Sequence, residues 1–187
     1  MTSLIRTIRS LLVGSVLTIG AAGAALAQHA APTTVLLVRH AEKAAEPAND
    51  PPLTAAGEAR ARSLLDALRD ANVSVVITTQ FTRTKATAQP TASAFGLTPQ
   101  VIDAQATPAQ VARAVRGHAG HTVLVVGHSN TLPAIIEALG AKRPPPICDA
   151  VYDNLFVVTI DANGKAGLVR AKYGARSPED ASCAAMK

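Results

Sequence analysis

The sequence contains no tryptophan, and its 187 residues include only three phenylalanines and two tyrosines. Proteins that bind single-stranded nucleic acid stack bases on aromatic side chains, and such side chains are scarce here. Lys and Arg do not cluster into the basic patch that is typical of nucleic-acid-binding surfaces either. The composition therefore indicates no nucleic-acid partner.

Cysteine is almost absent, since Cys148 and Cys183 are the only two. No Cys-x-x-Cys or His-x-x-x-His spacing supplies the ligands of a tetrahedral zinc site, so we expect no metal. An exported chain meets an oxidising compartment, and an even cysteine count then favours one disulfide that ties the C-terminal tail to a proline-rich loop. Two free thiols that never meet are the alternative.

Residues 1–27 have the pattern of a cleavable signal peptide. Two arginines form a basic start, an apolar stretch covers residues 11–24, and residues 25–27 read Ala-Leu-Ala, a small-residue cleavage site. A transmembrane anchor is the alternative, but the stretch is short, rich in Gly and Ala, and ends in small residues. We therefore expect a periplasmic or secreted protein with no stable membrane anchor after cleavage.

The remaining residues 28–187 suit a single domain with its own buried core. Two of the 18 basic residues and none of the 13 acidic residues fall in the leader, which leaves the mature chain with a formal charge of +3. This mild positive charge favours the approach of anionic substrates.

Two apolar runs end abruptly in a histidine. Residues 35–38 lead directly into Arg39 and His40, and residues 122–126 lead through a glycine into His128. Each run is too short and too uniformly apolar for an amphipathic helix, so each predicts a strand that is buried on both faces. Ligands bind beyond the carboxyl ends of such strands, and two parallel strands of this kind can bring the two imidazoles together.

The segments between and after these strands alternate between helical and strand patterns. Thr54 is a predicted N-cap for a helix to about residue 70, with Arg60 on its solvated face. Further helices are predicted from about residues 82, 107 and 130, the first of them interrupted or kinked by Pro90. Two final strands surround an Asn-Gly turn. This order predicts an α/β fold, a three-layer sandwich whose central sheet is largely parallel, with helices on both faces.

Four short motifs occur in order along the chain. They are Leu-Val-Arg-His-Ala-Glu at 37–42, Leu-Thr-Ala-Ala-Gly at 53–57, Thr-Gln-Phe-Thr-Arg-Thr-Lys-Ala-Thr-Ala at 79–88 and Val-Gly-His-Ser-Asn at 126–130. Together they resemble the motifs of the histidine phosphatase (phosphoglycerate-mutase-like) superfamily, and the chain is similar to a small exported bacterial member. Ala41 departs from the commoner Arg-His-Gly, a small change.

The resemblance implies that His40 is the histidine that becomes phosphorylated. It also implies that Arg39, Arg83 and His128 form the phosphate pocket, and that neither a metal nor another cofactor is required. The chemistry of these side chains agrees, because neutral imidazole is a nucleophile near pH 7 and guanidinium groups match the oxygens of a phosphoryl group. A hydrogen bond from the other ring nitrogen of His40, commonly to a backbone carbonyl, would fix its tautomer.

The sequence offers two candidates for the proton donor to the leaving group. Asp103, at the end of a short predicted strand, is the first candidate and Glu42 the second; a role for Asp103 as a turn residue is the alternative. Ser129 and Asn130 are candidates for contacts with phosphate or substrate. Lys43 could steer an anionic group, with a solvated lysine as the alternative.

The predicted function is a metal-independent phosphomonoesterase that acts on a small phosphorylated substrate through a phosphohistidine. A phosphate-binding module on the same fold without efficient turnover is the alternative from a different class. A phosphomutase is disfavoured by the short chain, and export disfavours both a glycolytic mutase and a protein-phosphohistidine phosphatase. The physiological substrate and the oligomeric state stay open.

Overall fold

The computed structural model describes residues 31–178. This part of the chain contains six strands and four helices. Strands and helices alternate up to α4, and two strands follow: β1 Thr33–Arg39, α1 Ala55–Leu68, β2 Val75–Thr78, α2 Thr82–Ala94, β3 Gln100–Val101, α3 Pro108–Arg116, β4 Thr122–Gly127, α4 Leu132–Ala138, β5 Asn154–Ile160 and β6 Ala166–Lys172. The predicted signal peptide and Cys183 lie outside the described residues. No helix of residues 31–178 is long and apolar enough to cross a membrane.

The strands form one sheet in the order β3-β2-β4-β1-β5-β6. The four strands from β3 to β1 pair in parallel, and β5 and β6 add antiparallel pairs at one edge. β1 lies in the interior of the sheet between β4 and β5, which explains its uninterrupted run of apolar residues. The predicted largely parallel sheet is therefore confirmed.

Helices cover both faces of the sheet. Alternate residues of β1 and β4 pack with α3 and α4 in one core cluster, and the intervening residues pack with α1 and α2 in the other. Successive side chains of a strand point to opposite faces, so a central strand in a three-layer structure must be apolar at both sets of positions. The three-layer α/β sandwich is confirmed.

Local sequence signals account for most of the helix boundaries. The hydroxyl of Thr54 accepts the N–H of Gly57 at 3.1 Å and begins α1 as predicted. Thr107 and Gln110 form a capping box at the start of α3. Pro90 lies inside α2, which continues to Ala94, so the predicted interruption at Pro90 does not occur.

One prediction for α1 is wrong. Arg60 is buried, with 5% of its surface exposed, and is not part of a solvated face. Its Nε and Nη2 atoms donate to the carboxylate of Glu42 at 2.7–2.9 Å, and its Nη1 donates to the carbonyl oxygen of Tyr173 at 3.2 Å. The helical periodicity gave no sign of this burial, because the partners come from distant parts of the chain.

Candidate active site

The register of β1 against β4 brings the two strand-end histidines together. Arg39 pairs with Gly127 across the sheet, and the next backbone hydrogen bond runs from the N–H of His40 to the carbonyl oxygen of Gly127 at 2.9 Å. His40 and His128 therefore leave the sheet at the same level, and their ring centroids are 5.5 Å apart.

His40 is held in one tautomer. Its Nδ1 lies 2.8 Å from the carbonyl oxygen of Ala41, and because a carbonyl oxygen only accepts, Nδ1 carries the proton and Nε2 has the free lone pair. Burial and, to a smaller extent, the charge of Arg39 lower the pKa of His40 to about 3, against an opposing contribution from the hydrogen bond to Ala41. The imidazole is neutral at pH 7, as a nucleophile must be, and the predicted carbonyl hydrogen bond is present.

Arg39 is buried and is positioned by a loop that is distant in sequence. Its Nη1 donates to the carbonyl oxygens of Cys148 at 3.0 Å and Asp149 at 2.7 Å, and its guanidinium carbon lies 4.2 Å from the ring centroid of Tyr152. Burial lowers its pKa, and the nearby Tyr152 and Asp149 raise it. Its Nε is buried and has no hydrogen-bond partner among the described residues.

Arg83 lies in the first turn of α2, where the helix dipole disfavours a cation. The loop after β1 compensates for this. Asp50 accepts the N–H of Thr82 at 2.8 Å and the hydroxyl of Thr82 at 2.7 Å, so its carboxylate caps the helix from outside. It also lies 3.9 Å from Nη1 of Arg83, whose guanidinium rests 4.1 Å from the ring centroid of Phe81. The Nε of Arg83, like that of Arg39, is buried without a partner among the described residues.

A single threonine links the histidine loop to the start of α2. The hydroxyl of Thr87 accepts the N–H of Ala41 at 2.9 Å and donates to the carbonyl oxygen of Arg83 at 2.7 Å. Ala41 is completely buried at this junction. The backbones that carry His40 and Arg83 are therefore fixed relative to each other.

His128 is positioned by hydroxyl groups at the end of β2. Its Nε2 lies 3.1 Å from the hydroxyl of Thr79, which lies 2.9 Å from the hydroxyl of Thr84. The Thr84 hydroxyl is also 2.8 Å from the carbonyl oxygen of Phe81. Burial and, to a smaller extent, the charges of Arg83 and Arg39 lower the pKa of His128 to about 4. His128 is therefore neutral at pH 7 in the free protein.

These side chains open onto one cavity of about 560 Å³ at the carboxyl edge of the parallel strands. The four residues predicted to surround the phosphoryl group, and the three predicted to contact substrate, all line it: Arg39, His40, Arg83, His128, Lys43, Ser129 and Asn130. Ser129 is buried, and Lys43 and Asn130 are exposed. The cavity is within the size range of sites for small molecules.

Neither expected proton donor lines this cavity. Asp103 is exposed, and its carboxylate accepts the N–H of Gln105 at 2.7 Å, which is the arrangement of a turn residue. The carboxylate of Glu42 is occupied by Arg60. Burial raises the pKa of Glu42, but the hydrogen bonds and charge of Arg60 lower it by more, so its pKa lies below the usual range.

Sequence reasoning did not single out several residues that line the cavity: Phe81, Ala104, Gln105, Thr131, Asp149 and Tyr152. Asp149 and Tyr152 lie just after the proline-rich loop of residues 141–148. They lie next to Arg39 because the chain returns across the sheet after α4. No local sequence pattern predicts this path of the chain. Phe81 lies inside the third motif and could have been found from its position beside Arg83.

No group of three or more His, Cys, Asp or Glu side chains within residues 31–178 is arranged to hold a metal ion. The cavity is lined by the guanidinium groups of Arg39 and Arg83 and the imidazoles of His40 and His128, and guanidinium groups bind anions. The expectation of metal independence stays a prediction.

The sequence profile of the histidine phosphatase superfamily (branch 1) matches residues 35–106. This segment contains Arg39, His40 and Arg83. None of the curated proteins matches the chain in sequence.

Solved structures share the fold. The protein histidine phosphatase SixA complexed with tungstate is 19% identical with a TM-score of 0.55, and the match covers 74% of this chain and 96% of that one. The phosphoserine phosphatase of Entamoeba histolytica in complex with 3-phosphoglyceric acid is 14% identical with a TM-score of 0.57, over 79% and 98% of the two chains. A protein described as mycobacterial hydrolase 1 is 13% identical with a TM-score of 0.60, over 78% and 100%.

At such identities the structural likeness establishes the fold, and the profile match adds the segment that carries the first histidine. Over residues 35–106 the chain is similar to the histidine phosphatase superfamily (branch 1), and it shares the fold of solved phosphatases.

Proposed function

We propose that this protein is a metal-independent phosphomonoesterase that forms a phosphohistidine on His40. The supporting observation is the neutral His40, with its Nε2 lone pair free, in one cavity with the buried guanidinium of Arg39 and the half-buried guanidinium of Arg83. Each guanidinium carries a permanent charge and forked N–H donors, which match the oxygens of a phosphoryl group.

The reaction follows from this placement. The two guanidinium groups and His128 surround the oxygens of the phosphoryl group and stabilise the charge that develops in the transition state. The Nε2 of His40 attacks phosphorus, and the bond to the leaving oxygen breaks. Water then attacks the phosphohistidine, inorganic phosphate leaves, and the electron pair returns to His40.

His128 gains its charge only when the anion is bound. In the free protein, burial and the neighbouring guanidinium groups keep it neutral. A phosphoryl dianion in the cavity offsets those positive charges and favours the imidazolium form. We therefore propose that substrate binding is accompanied by proton uptake at His128.

A binding module without efficient turnover is the second candidate. The observation that favours it is the position of Glu42 and Asp103, because neither carboxyl is available in the cavity as a proton donor. Such a protein would bind phosphate or tungstate and would release no phosphate from esters.

The first test is hydrolysis of p-nitrophenyl phosphate by the wild type, His40→Ala and His121→Ala. His121 is exposed and contacts Ser74 outside the cavity, so its variant serves as the matched histidine control. We expect His40→Ala to lose about 1000-fold or more in kcat/KM and the control to keep the wild-type rate. Activity should also survive a chelator.

Equal rates for wild type and His40→Ala would exclude the phosphatase. Tungstate binding by calorimetry, with no phosphate release from any ester, would instead support the binding module. Quenched-flow mass spectrometry should locate the transient phosphoryl group on the peptide that contains His40.

We further propose that the chain is exported, with the signal peptide at residues 1–27 and a single domain over residues 28–187. The same compartment would supply the oxidant for a disulfide between Cys148 and Cys183.

A further inference from the structure

We infer that Asp149 is the proton donor to the leaving group, an inference that rests on the proposed phosphatase function. Asp149 is the only carboxylate among the described residues that lines the cavity of His40. Esters with a poor leaving group require a proton on the departing oxygen, and a carboxyl group that faces the substrate is a suitable donor.

Arg39 holds Asp149 at the site. The backbone carbonyl oxygen of Asp149 accepts from Nη1 of Arg39 at 2.7 Å, and its Oδ1 lies 3.4 Å from Nη2. The carboxylate therefore borders a guanidinium that the proposed function assigns to the phosphoryl group. A donor in this position is within reach of an oxygen attached to the same phosphorus.

The side chain of Asp149 also has access to solvent. Its exposed fraction is 62%, so the carboxylate can take up a proton from water after each turnover. Access to solvent and a position beside the guanidinium of Arg39 are both properties that a proton donor to the leaving oxygen needs.

The other nearby carboxylates are engaged elsewhere. Asp50 accepts the N–H and hydroxyl of Thr82, and Asp153 accepts from Lys172 at 2.7 Å and from the N–H of Ser177 at 3.1 Å. Glu42 is paired with Arg60. None of the three lines the cavity.

The proton and electron balance of the step is complete. The Nε2 of His40 forms a bond to phosphorus, the phosphorus–oxygen bond to the leaving group breaks, and the leaving oxygen takes the proton of the Asp149 carboxyl. The products are a free alcohol, a phosphohistidine and the Asp149 carboxylate. In the second step this carboxylate takes a proton from the attacking water, and the phosphorus–nitrogen bond breaks with its electrons returning to His40.

The dependence of the reaction on the leaving group tests the inference. p-Nitrophenolate departs without a proton, whereas the alkoxide of glycerol 2-phosphate does not. We would compare kcat/KM, which reports the steps up to departure of the leaving group, for both esters in Asp149→Asn. We expect a loss of about 100-fold or more with glycerol 2-phosphate and little change with p-nitrophenyl phosphate.

Asp66→Asn is the matched control, because Asp66 is an exposed carboxylate on α1 that pairs with Arg69 outside the cavity. It should change neither rate. Asp103→Asn tests the competing donor, and a selective loss on glycerol 2-phosphate in that variant instead of Asp149→Asn would transfer the role to Asp103.

Three other outcomes overturn the inference. An equal loss on both esters would show that Asp149 only positions Arg39, and no loss on either would exclude any contribution. A wild type that hydrolyses neither ester would refute the proposed function itself and the role of Asp149 with it. An active wild type with a uniform or absent effect of Asp149→Asn refutes the donor alone.

Discussion

At the scale of single residues, the two cavity histidines remain neutral because they are buried beside permanent positive charges. His40 and His128 are 4% and 9% exposed, and their pKa values are lowered to about 3 and about 4. In the unfolded chain the pKa of each histidine returns to about 6.5. The folded protein therefore binds fewer protons than the unfolded chain at pH values between these limits.

This difference predicts an acid-sensitive fold. Stability rises with pH wherever the unfolded state binds more protons, so the free energy of unfolding should fall as pH decreases from about 6.5 to about 4. Each histidine contributes up to about 1.4 kcal/mol per pH unit in this window. Urea unfolding of the wild type and of His40→Asn at a series of pH values measures how steeply the free energy of unfolding of each protein changes with pH.

The variant should show a shallower pH dependence than the wild type, because one of the two proton-uptake sites is gone. Depressed carboxylates such as Glu42 also destabilise the fold at low pH, but they are common to both proteins. Superimposable slopes would contradict the assignment of a neutral, buried His40.

At the scale of secondary-structure elements, α1 is tied to the segment that follows His40. The carbonyl oxygen of Glu42 accepts the N–H of Thr54 at 2.9 Å, and it lies so close to Gly57 that a Cβ at that position would collide with it. The carboxylate of the same Glu42 pairs with Arg60 one turn further along the helix. The glycine of the second motif is thus required by a close backbone approach and not by a turn.

The buried ion pair predicts a large difference between two neighbouring arginines of α1. Arg60→Ala leaves the carboxylate of Glu42 without its charged partner and should lower the free energy of unfolding by about 3 kcal/mol. Arg62→Ala, at an exposed position of the same helix, should change it by less than about 0.5 kcal/mol. Chemical denaturation at pH 7 provides both values, and similar effects of the two substitutions would rule out a structural role for the pair.

The same scale shows how far local patterns determine the fold. The cap at Thr54 and the capping box at Thr107 were predictable, because they involve neighbours within three residues. The burial of Arg60 and the capping of α2 by Asp50 were not, because Asp50 is 32 residues from Thr82 and Arg60 is 18 residues from Glu42. Contacts between residues that are far apart in the chain leave no periodic pattern in the sequence.

At the scale of the whole molecule, export and oxidation are predicted together. When the complete chain is expressed in a Gram-negative bacterium, intact mass should correspond to a mature protein that begins at Gln28. Peptide mapping without reductant should recover Cys148 linked to Cys183, because both would reach an oxidising compartment. Retention of residues 1–27, or separate cysteine peptides that react with a thiol reagent, would contradict these two predictions respectively.

The sheet as a whole assembles the candidate site. Arg39 and His40 leave β1, His128 leaves β4, and Thr79 leaves the end of β2, all at one edge. β4 lies between the other two, so its histidine contacts both neighbours. The strand order places groups from three separate motifs within one cavity.

The sequence by itself determined the class of fold, the positions of nearly all its elements and most of the charged and imidazole side chains that line the candidate site. Each of these depends on local information, namely uninterrupted apolar strands, caps and motifs of a few residues. Only the tertiary structure decided that Arg60 is buried, that Asp50 caps α2, and that Asp149 and Tyr152 stand beside Arg39. Contacts of this kind depend on how the loops return across the sheet edge, and a single sequence holds no periodic or short-range signal for that path.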